Sequence, residues 1–178
     1  ITTMELFLNY IQTKIHLDHP LKEVLQTHFQ HRVVKKGTLL LEEGEYCKQL
    51  YFIEKGLART FYYEKGKDIT SWFYPEGLFL TSWYSFYNRA ASFEFIQTLE
   101  DCQLYTIDYS NYQKLLTAHT KLDRFGRILA EEQLSFLEYY SKGYLFMSAR
   151  EKCDWLLSFF PEATQRVSLG QIASLLGI

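Results

Sequence analysis

Apolar residues follow a helical spacing near both ends of the chain and a strand-like spacing in the middle. Across residues 4–31 they recur at steps of three and four, which predicts helical structure in two segments, the second opened by Pro20. Between residues 33 and 108, glycines separate short runs rich in Tyr, Phe, Ile, Leu and Thr. This middle region predicts an all-β barrel or sandwich, with a hairpin tip at residues 64–67 and a turn at 75–77.

Helical spacing returns after Asp108, first in the short run "SNYQKLLTAH" and then in a long helix from about Lys121 to Lys142. One stripe of this helix, with steps of three, four and seven, resembles the a/d repeat of a coiled coil and predicts a dimer interface. The alternative is a helix that packs entirely on its own barrel. The residues of the stripe are Leu122, Phe125, Leu129, Phe136 and Tyr140.

A further helix begins at Ser148, where Ser148 and Glu151 have the spacing of a capping box, and ends at Pro161. We place a domain boundary between residues 146 and 147, where no Pro-, Gly- or Ser-rich linker occurs and a nearly continuous helix can join the two parts. The predicted domains are therefore 1–146, with the barrel and the long helix, and 147–178.

The last segment, "RVSLGQIASLLGI", contains a second capping box at Ser168 and Gln171. Ala173 is small enough to let another helix approach closely, and Gly177 can take the left-handed conformation that ends a helix. This pattern is typical of the first half of a helix-turn-helix. A short helix closed by a glycine explains the same residues equally well.

Composition narrows the class of protein only in part. With 47% hydrophobic and 22% charged residues, the 178-residue chain can form a globular core, and a net charge of -2 neither favours nor excludes a nucleic acid partner. The sequence has three cysteines, which are far apart and form no cluster. This pattern favours a reduced, cytoplasmic setting. No apolar stretch is long enough to cross a bilayer, so we predict no membrane partner.

Catalytic and metal-binding patterns are missing from the sequence. None of the five histidines falls between residues 33 and 108, which argues against a cupin-like metal centre in the barrel. The pairs His16/His19 and His28/His31 have helical spacing, and we favour surface histidines over a metal bridge. Neither a Walker loop nor a nucleophile motif occurs. We therefore predict no enzyme, no catalytic residue, no metal and no cofactor.

The run "LLLEEGEYCKQLYFIEKG", residues 39–56, resembles the opening hairpins of the cyclic-nucleotide-binding domain in the spacing of Gly44, the apolar residues and Gly56. With the long helix and the final segment, the chain resembles a Crp/Fnr-type bacterial transcription regulator. The resemblance implies an α+β fold with a cyclic-nucleotide-binding-like β jelly-roll barrel, a long dimerisation helix and the start of a winged helix-turn-helix. It implies double-stranded DNA, a second copy of the chain and RNA polymerase as partners.

The resemblance also places a phosphate contact at the start of the last helix. The Ser168 hydroxyl and the backbone amides of Leu169 and Gly170 would contact DNA there, and a recognition helix would follow Ile178. The competing interpretation is a ligand-sensing module that regulates a protein partner without DNA binding.

Relatives that bind cyclic AMP use a cassette with a Gly-Glu pair followed by an Arg. In "GLFLTSWYSFYNRAASFEF" the Gly position falls on Thr81, the Glu on Ser82 and the Arg on Ser92, so neither charged anchor is kept. We therefore predict no tight cyclic AMP binding. The many aromatic residues of this region either fill the barrel or line a pocket for an apolar or aromatic effector. The predicted pocket residues are Thr81, Ser82, Trp83, Arg89 and Ser92.

Overall fold

Helices, a β-sandwich and a second group of helices follow one another along the computed structural model, which describes residues 4–178, with the backbone alone at residue 144. The strands are β1 (Gln30–Val34), β2 (Leu39–Leu41), β3 (Gln49–Lys55), β4 (Ala58–Glu64), β5 (Lys67–Tyr74), β6 (Phe79–Leu80), β7 (Phe95–Thr98) and β8 (Cys102–Asp108). The helices are α1 (Glu5–Gln12), α2 (His19–His28), α3 (Trp83–Asn88), α4 (Tyr109–Ala118), α5 (Thr120–Phe146), α6 (Ala149–Phe159), α7 (Ala163–Arg166) and α8 (Leu169–Leu176).

The strands form two antiparallel sheets, in the orders β1-β8-β3-β6 and β2-β7-β4-β5. Two such sheets with strands from distant parts of the chain are typical of a jelly roll, and they confirm the predicted β region. The helical prediction for residues 4–31 ends too late, because Gln30 and His31 pair with Thr106 and Tyr105 of β8. Pairing with a distant strand overrides the local preference of these residues.

Turn chemistry and side-chain spacing explain two local features of the sandwich. Lys65 and Gly66, with φ of 51° and 77°, form the tip of the β4–β5 hairpin at the predicted place. Two successive residues of positive φ match the twist of the flanking strands. Helix α3 was not predicted, although Trp83, Phe86 and Tyr87 have the spacing of three and four that favours a helix.

Helix α5 begins in the core of its own chain. Leu122, Phe125 and Leu129 are buried, and the Phe125 ring lies 5.7 Å from that of Phe79. The Phe136 and Tyr140 rings lie 4.7 and 5.5 Å from the Trp72 ring of β5.

The predicted dimer stripe thus packs against the barrel, as in the alternative that the sequence left open, and its role in a dimer stays a prediction. Other apolar residues of α5 are exposed instead: Leu134, Leu137, Tyr139, Leu145 and Phe146. Among the described residues, no helix, the 27-residue α5 included, is both long and apolar enough to span a membrane.

The helices after α5 fold back onto the sandwich. The Ser148 and Ser168 capping boxes are both present, and Gly177 ends α8 at φ 64°, as predicted. The Thr70 amide of β5 donates a hydrogen bond to Ser174 Oγ of α8 at 3.1 Å. The last helices are therefore attached to the barrel through α8.

Arg166 strengthens this attachment with two carboxylates of the sandwich. Its guanidinium donates to Glu76 at 2.8 and 2.9 Å and to Glu100 at 2.8 and 2.7 Å. Burial alone would raise the pKa of Glu76, but the hydrogen bonds from Arg166 and from backbone amides lower it overall. Paired bidentate contacts of this kind fix orientation as well as adding energy. We call this group, Arg166 with Glu76 and Glu100, the Arg166 clamp.

Candidate functional site

A cavity of about 630 Å³ lies between the sandwich and α5. Its lining comes from α1, β5, α3 and α5, represented by Tyr10, Trp72, Trp83 and Phe136. The volume falls within the range of small-molecule sites, which are concave and largely apolar with a few polar groups. We therefore take this cavity as the candidate ligand site.

Each element presents its cavity residues through its own periodicity. Trp72 and Tyr74 point to the same side of β5 because side chains alternate along a strand. Trp83 and Tyr87 lie four residues apart on α3, and their rings stack with centroids 6.0 Å apart and planes at 15°. The cavity thus has ordered aromatic walls from two separate elements.

Two charged cavity residues neutralise each other. Lys14 Nζ forms an ion pair and hydrogen bond with Glu132, and the Tyr10 hydroxyl donates to the same carboxylate at 3.1 Å. Burial, together with the Glu132 charge and this hydrogen bond, raises the pKa of Tyr10. These three residues therefore join α1 to α5 at the edge of the cavity without adding net charge to it.

Glu94, by contrast, has no ion-pair partner among the described residues. Burial raises its pKa to about 7, although a hydrogen bond from Ser82 opposes the shift. The buried indole N–H of Trp83 also has no hydrogen-bond partner in this part of the structure. The Tyr74 hydroxyl neighbours that N–H, and burial raises the pKa of Tyr74. The cavity thus contains a carboxyl group that no cation among the described residues balances, and an indole N–H beside a tyrosine hydroxyl.

Three of the five predicted pocket residues lie beneath the cavity and do not line it. Thr81, Ser82 and Ser92 are buried. Thr81 Oγ1 donates to the Gln49 carbonyl at 2.9 Å, and Ser92 Oγ donates to the Glu94 carbonyl at 2.8 Å. The Ser82 and Ser92 hydroxyls lie 3.1 Å apart. The two positions aligned with the family's charged anchors are therefore neighbours, but here they hold the loop together.

Arg89 lies away from the cavity. It is exposed, donates to the Cys47 carbonyl at 2.9 Å, and places its guanidinium 4.5 Å from the centre of the Tyr109 ring. Arg89, predicted as a pocket residue, is not among the residues that line this cavity, because its side chain is held by the Cys47 carbonyl and the Tyr109 ring. Trp83 is the predicted pocket residue that does line the cavity.

The most buried arginine of the sandwich, Arg59, was not singled out from the sequence. Its guanidinium donates to both carboxylate oxygens of Asp68, at 2.7 and 2.6 Å, and also to Gln97 and Thr70. Its charge is therefore already balanced inside the second sheet. Glu94 was also missed, although an acidic residue between phenylalanines in "SFEF" is a signal that could have drawn attention to it.

The residues predicted to contact DNA lie together at the start of α8. Ser168, Leu169 and Gly170 are all exposed. Ser168 Oγ accepts a hydrogen bond from the Gln171 amide at 3.2 Å, so the serine caps the helix as its sequence pattern requires. The exposed amides at this end are accessible to an anion.

Similar solved structures include regulators from bacteria and a kinase subunit. A Crp/Fnr-family putative transcriptional regulator from Eubacterium rectale aligns with a TM-score of 0.69 and 20% identity, covering 90% of this chain and 77% of that one. The catabolite activator protein of Thermus thermophilus aligns at 0.64 and 17%, covering 94% and 80%. The regulatory subunit of a cAMP-independent protein kinase A from Trypanosoma brucei aligns at 0.62 and 16%, covering 79% and 50%. At these identities the likeness shows a shared fold.

Sequence comparison gives the family directly. No curated protein matches the chain. The sequence model of the cyclic nucleotide-binding domain matches residues 31–119, which is half of the chain and runs from β1 to the end of α4. On this match, and with the two antiparallel sheets and the long helix in place, the chain belongs to the cyclic nucleotide-binding domain family.

Proposed function

We propose that the protein is a DNA-binding transcription regulator of the Crp/Fnr type whose barrel senses a ligand other than cyclic AMP. The observation that carries this proposal is α8, a helix capped at both ends, with its N-terminus exposed and its other side attached to the barrel. Its position after a family barrel and a long helix matches the order of elements in such regulators. The role is regulatory, not catalytic.

The start of α8 supplies the proposed DNA contact. The Ser168 hydroxyl and the amides of Leu169 and Gly170 would bind a backbone phosphate, because helix N-termini attract anions. Contacts of this kind orient a protein on the duplex and carry no sequence information.

A homodimer through the exposed side of α5 completes the proposed arrangement. Leu134, Leu137, Leu145 and Phe146 are 69%, 59%, 73% and 84% exposed, which is unusual for four large apolar residues on one helix. A second copy of the chain would bury them. A ligand in the cavity would then act on the dimer, since Leu134 and Leu137 also line the cavity.

Cyclic AMP is a poor candidate for that ligand. A buried cyclic phosphate needs a positive partner, and burying it without one is costly. The family's arginine position is Ser92, whose hydroxyl is engaged in the loop, and Arg59 is bound to Asp68. We expect calorimetric titration with cyclic AMP to show no micromolar affinity.

The test of DNA binding uses the protein made from its complete gene and a pool of random duplexes at low ionic strength. Ser168→Ala should lower duplex affinity about fivefold, since it removes one phosphate contact and weakens a helix cap. Ser148→Ala is the matched control, because it removes the same kind of cap from α6 and should leave affinity unchanged.

Two outcomes would contradict the proposal. If the dimeric protein shows no affinity for any duplex at low salt, the alternative of a sensor that regulates a protein partner is favoured. If Ser148→Ala and Ser168→Ala weaken binding equally, the start of α8 does not contact DNA and the loss reflects helix stability alone.

A further inference from the structure

The cavity is lined by aromatic rings on several sides. The rings come in pairs from three elements: Trp72 and Tyr74 from β5, Trp83 and Tyr87 from α3, and Phe136 and Tyr140 from α5. The faces of such rings carry partial negative charge and attract cations, and tryptophan does so most strongly. The Trp72, Phe136 and Tyr140 rings pack against one another as one aromatic cluster, and the stacked Trp83 and Tyr87 rings form a second. Clustered aromatic faces of this kind are what proteins use to bind organic ammonium groups.

The charge balance of the cavity is negative whenever Glu94 is ionised. Its charged residues are Lys14, Glu94 and Glu132, and Lys14 is paired with Glu132. Glu94 therefore contributes the unbalanced group. A ligand of positive charge would satisfy it, whereas an anion would add to the unfavourable charge.

No arginine or histidine lines the cavity in the described part of the chain. The arginines nearest in the fold are committed elsewhere, Arg59 to Asp68 and Arg89 to the Cys47 carbonyl. A phosphate or carboxylate ligand would thus find no free guanidinium. The cavity differs in this respect from a site built for a nucleotide.

The Trp83 indole adds a second requirement. Its N–H lies beside the Tyr74 hydroxyl at the wall of the cavity, so a ligand oxygen that approaches this pair can form a hydrogen bond with it. Because Trp83 and Glu94 line the same cavity, one small molecule can carry both complementary groups.

We propose that the cavity binds a small organic cation, a quaternary ammonium or protonated amine with a hydroxyl or carbonyl oxygen, held by the aromatic walls and by Glu94. The regulatory role of this ligand rests on the proposed function, because the ligand would be the signal that the regulator senses. Its chemistry rests on the cavity alone.

The experiment titrates the protein with choline and with 3,3-dimethylbutan-1-ol, which replaces the ammonium nitrogen of choline by carbon. Calorimetry and tryptophan fluorescence measure binding, with benzyltrimethylammonium and phenethylamine as larger cationic probes. Choline should bind at least about tenfold more tightly than the neutral alcohol, since the two differ only in the charge. Glu94→Gln should remove most of that difference, whereas Glu43→Gln, on an exposed carboxylate outside the cavity, should not.

The pH dependence supplies an independent measurement. Choline does not titrate, so its affinity should rise as pH increases through about 7, where Glu94 ionises. The other charged or titratable groups that face this cavity are the Lys14–Glu132 ion pair and tyrosines, and burial raises the pKa of Tyr10, Tyr74 and Tyr87 further from this range. In Glu94→Gln the affinity should be flat with pH.

Three results would overturn the inference. They are a neutral alcohol that binds as tightly as choline, no response to any of the three cations in the millimolar range, and micromolar binding of cyclic AMP. Ligand titration needs no DNA, so its failure is distinct from failure of the duplex assay. A protein that binds cations but no duplex would retain the inference and lose the proposed DNA function.

Discussion

The two halves of α5 have the same kind of apolar sequence but opposite surroundings. Leu122, Phe125 and Leu129 in the first half are at most 4% exposed, whereas Leu145 and Phe146 in the second are 73% and 84% exposed. The first half completes the core of the barrel. In the second half, Phe136 and Tyr140 still contact Trp72 of β5 and line the cavity, whereas Leu145 and Phe146 near the end are uncovered. An apolar stripe therefore shows that something covers a helix, but it does not show what.

The cavity lies where the two halves meet. Residues 130–140 of α5 contribute to its lining, directly after Leu129, which is buried in the core. A ligand there touches both the fixed and the uncovered part of the same helix. In the proposed dimer, this location connects the ligand to the arrangement of the two subunits through one helix.

The largest expected loss of stability comes from placing a charged side chain in the first half of α5. Leu129→Asp should lower the free energy of unfolding by about 3–5 kcal/mol, because it buries an uncompensated carboxylate in the core. Chemical denaturation monitored by circular dichroism measures this loss. A loss below about 1 kcal/mol would mean that the first half of α5 is not part of the core.

The next effect concerns the Arg166 clamp, which holds the last helices against the barrel beside the second half of α5. Arg166→Met should cost about 2 kcal/mol, because Glu76 and Glu100 are only 33% and 34% exposed and would lose their shared partner. Arg150→Met is the control, since Arg150 is 92% exposed and pairs with Asp154 at 3.9 Å. Equal stability of the two variants in thermal denaturation would show that the clamp contributes nothing.

The third prediction concerns Glu94, which lines the cavity where the two halves of α5 meet, and the pH dependence of protein stability. Its folded pKa of about 7 lies above the ordinary value of 4.5, so the unfolded chain releases the proton first. Stability without ligand should therefore fall as pH rises from about 4.5 to about 7, and remain lowered above that range. Glu94→Gln should remove this fall and stabilise the protein by about 1–3 kcal/mol at pH 8, with little change at pH 4.

Thermal denaturation of both proteins across this pH range measures the difference. If wild type and Glu94→Gln show parallel pH dependence, Glu94 is not the group that titrates and the charge balance of the cavity must be reconsidered.

The smallest effect on the folded chain is expected in the second half of α5. Leu145→Asp should change stability by less than about 0.5 kcal/mol at a concentration where the chain is monomeric, because the side chain is exposed. It should nevertheless raise the dissociation constant of the proposed dimer at least about tenfold. Sedimentation velocity over a range of concentrations measures the dimer. An unchanged dimer would place the interface on another surface.

Local rules predicted a large part of the fold. The hairpin at residues 64–67, both capping boxes and the left-handed Gly177 each depend on a few neighbouring residues, and each is present. The spacing of glycines and apolar runs likewise predicted the β region. Features of this kind were readable because their energy comes from contacts within one turn of chain.

The candidate site was predicted less well, for a physical reason. Tyr10, Trp72, Glu94 and Phe136 meet in one cavity although they lie far apart in the chain. The search for the family's anchors led to Ser82 and Ser92, which are adjacent in space but hold the loop. Alignment located the right region of the barrel, but only packing determined which side chains face the cavity.

The sequence by itself determined the order of the helical and β regions, the hairpin tip and the helix caps, because these follow from backbone geometry and nearby side chains. It did not predict α3 or the start of β1 at Gln30. The tertiary structure alone decided that the stripe of α5 faces its own barrel, that Arg166 bridges Glu76 and Glu100, and that Glu94 is left without a countercharge. Burial and charge compensation are properties of neighbours brought together from distant parts of the chain. They therefore exist only once the chain has folded.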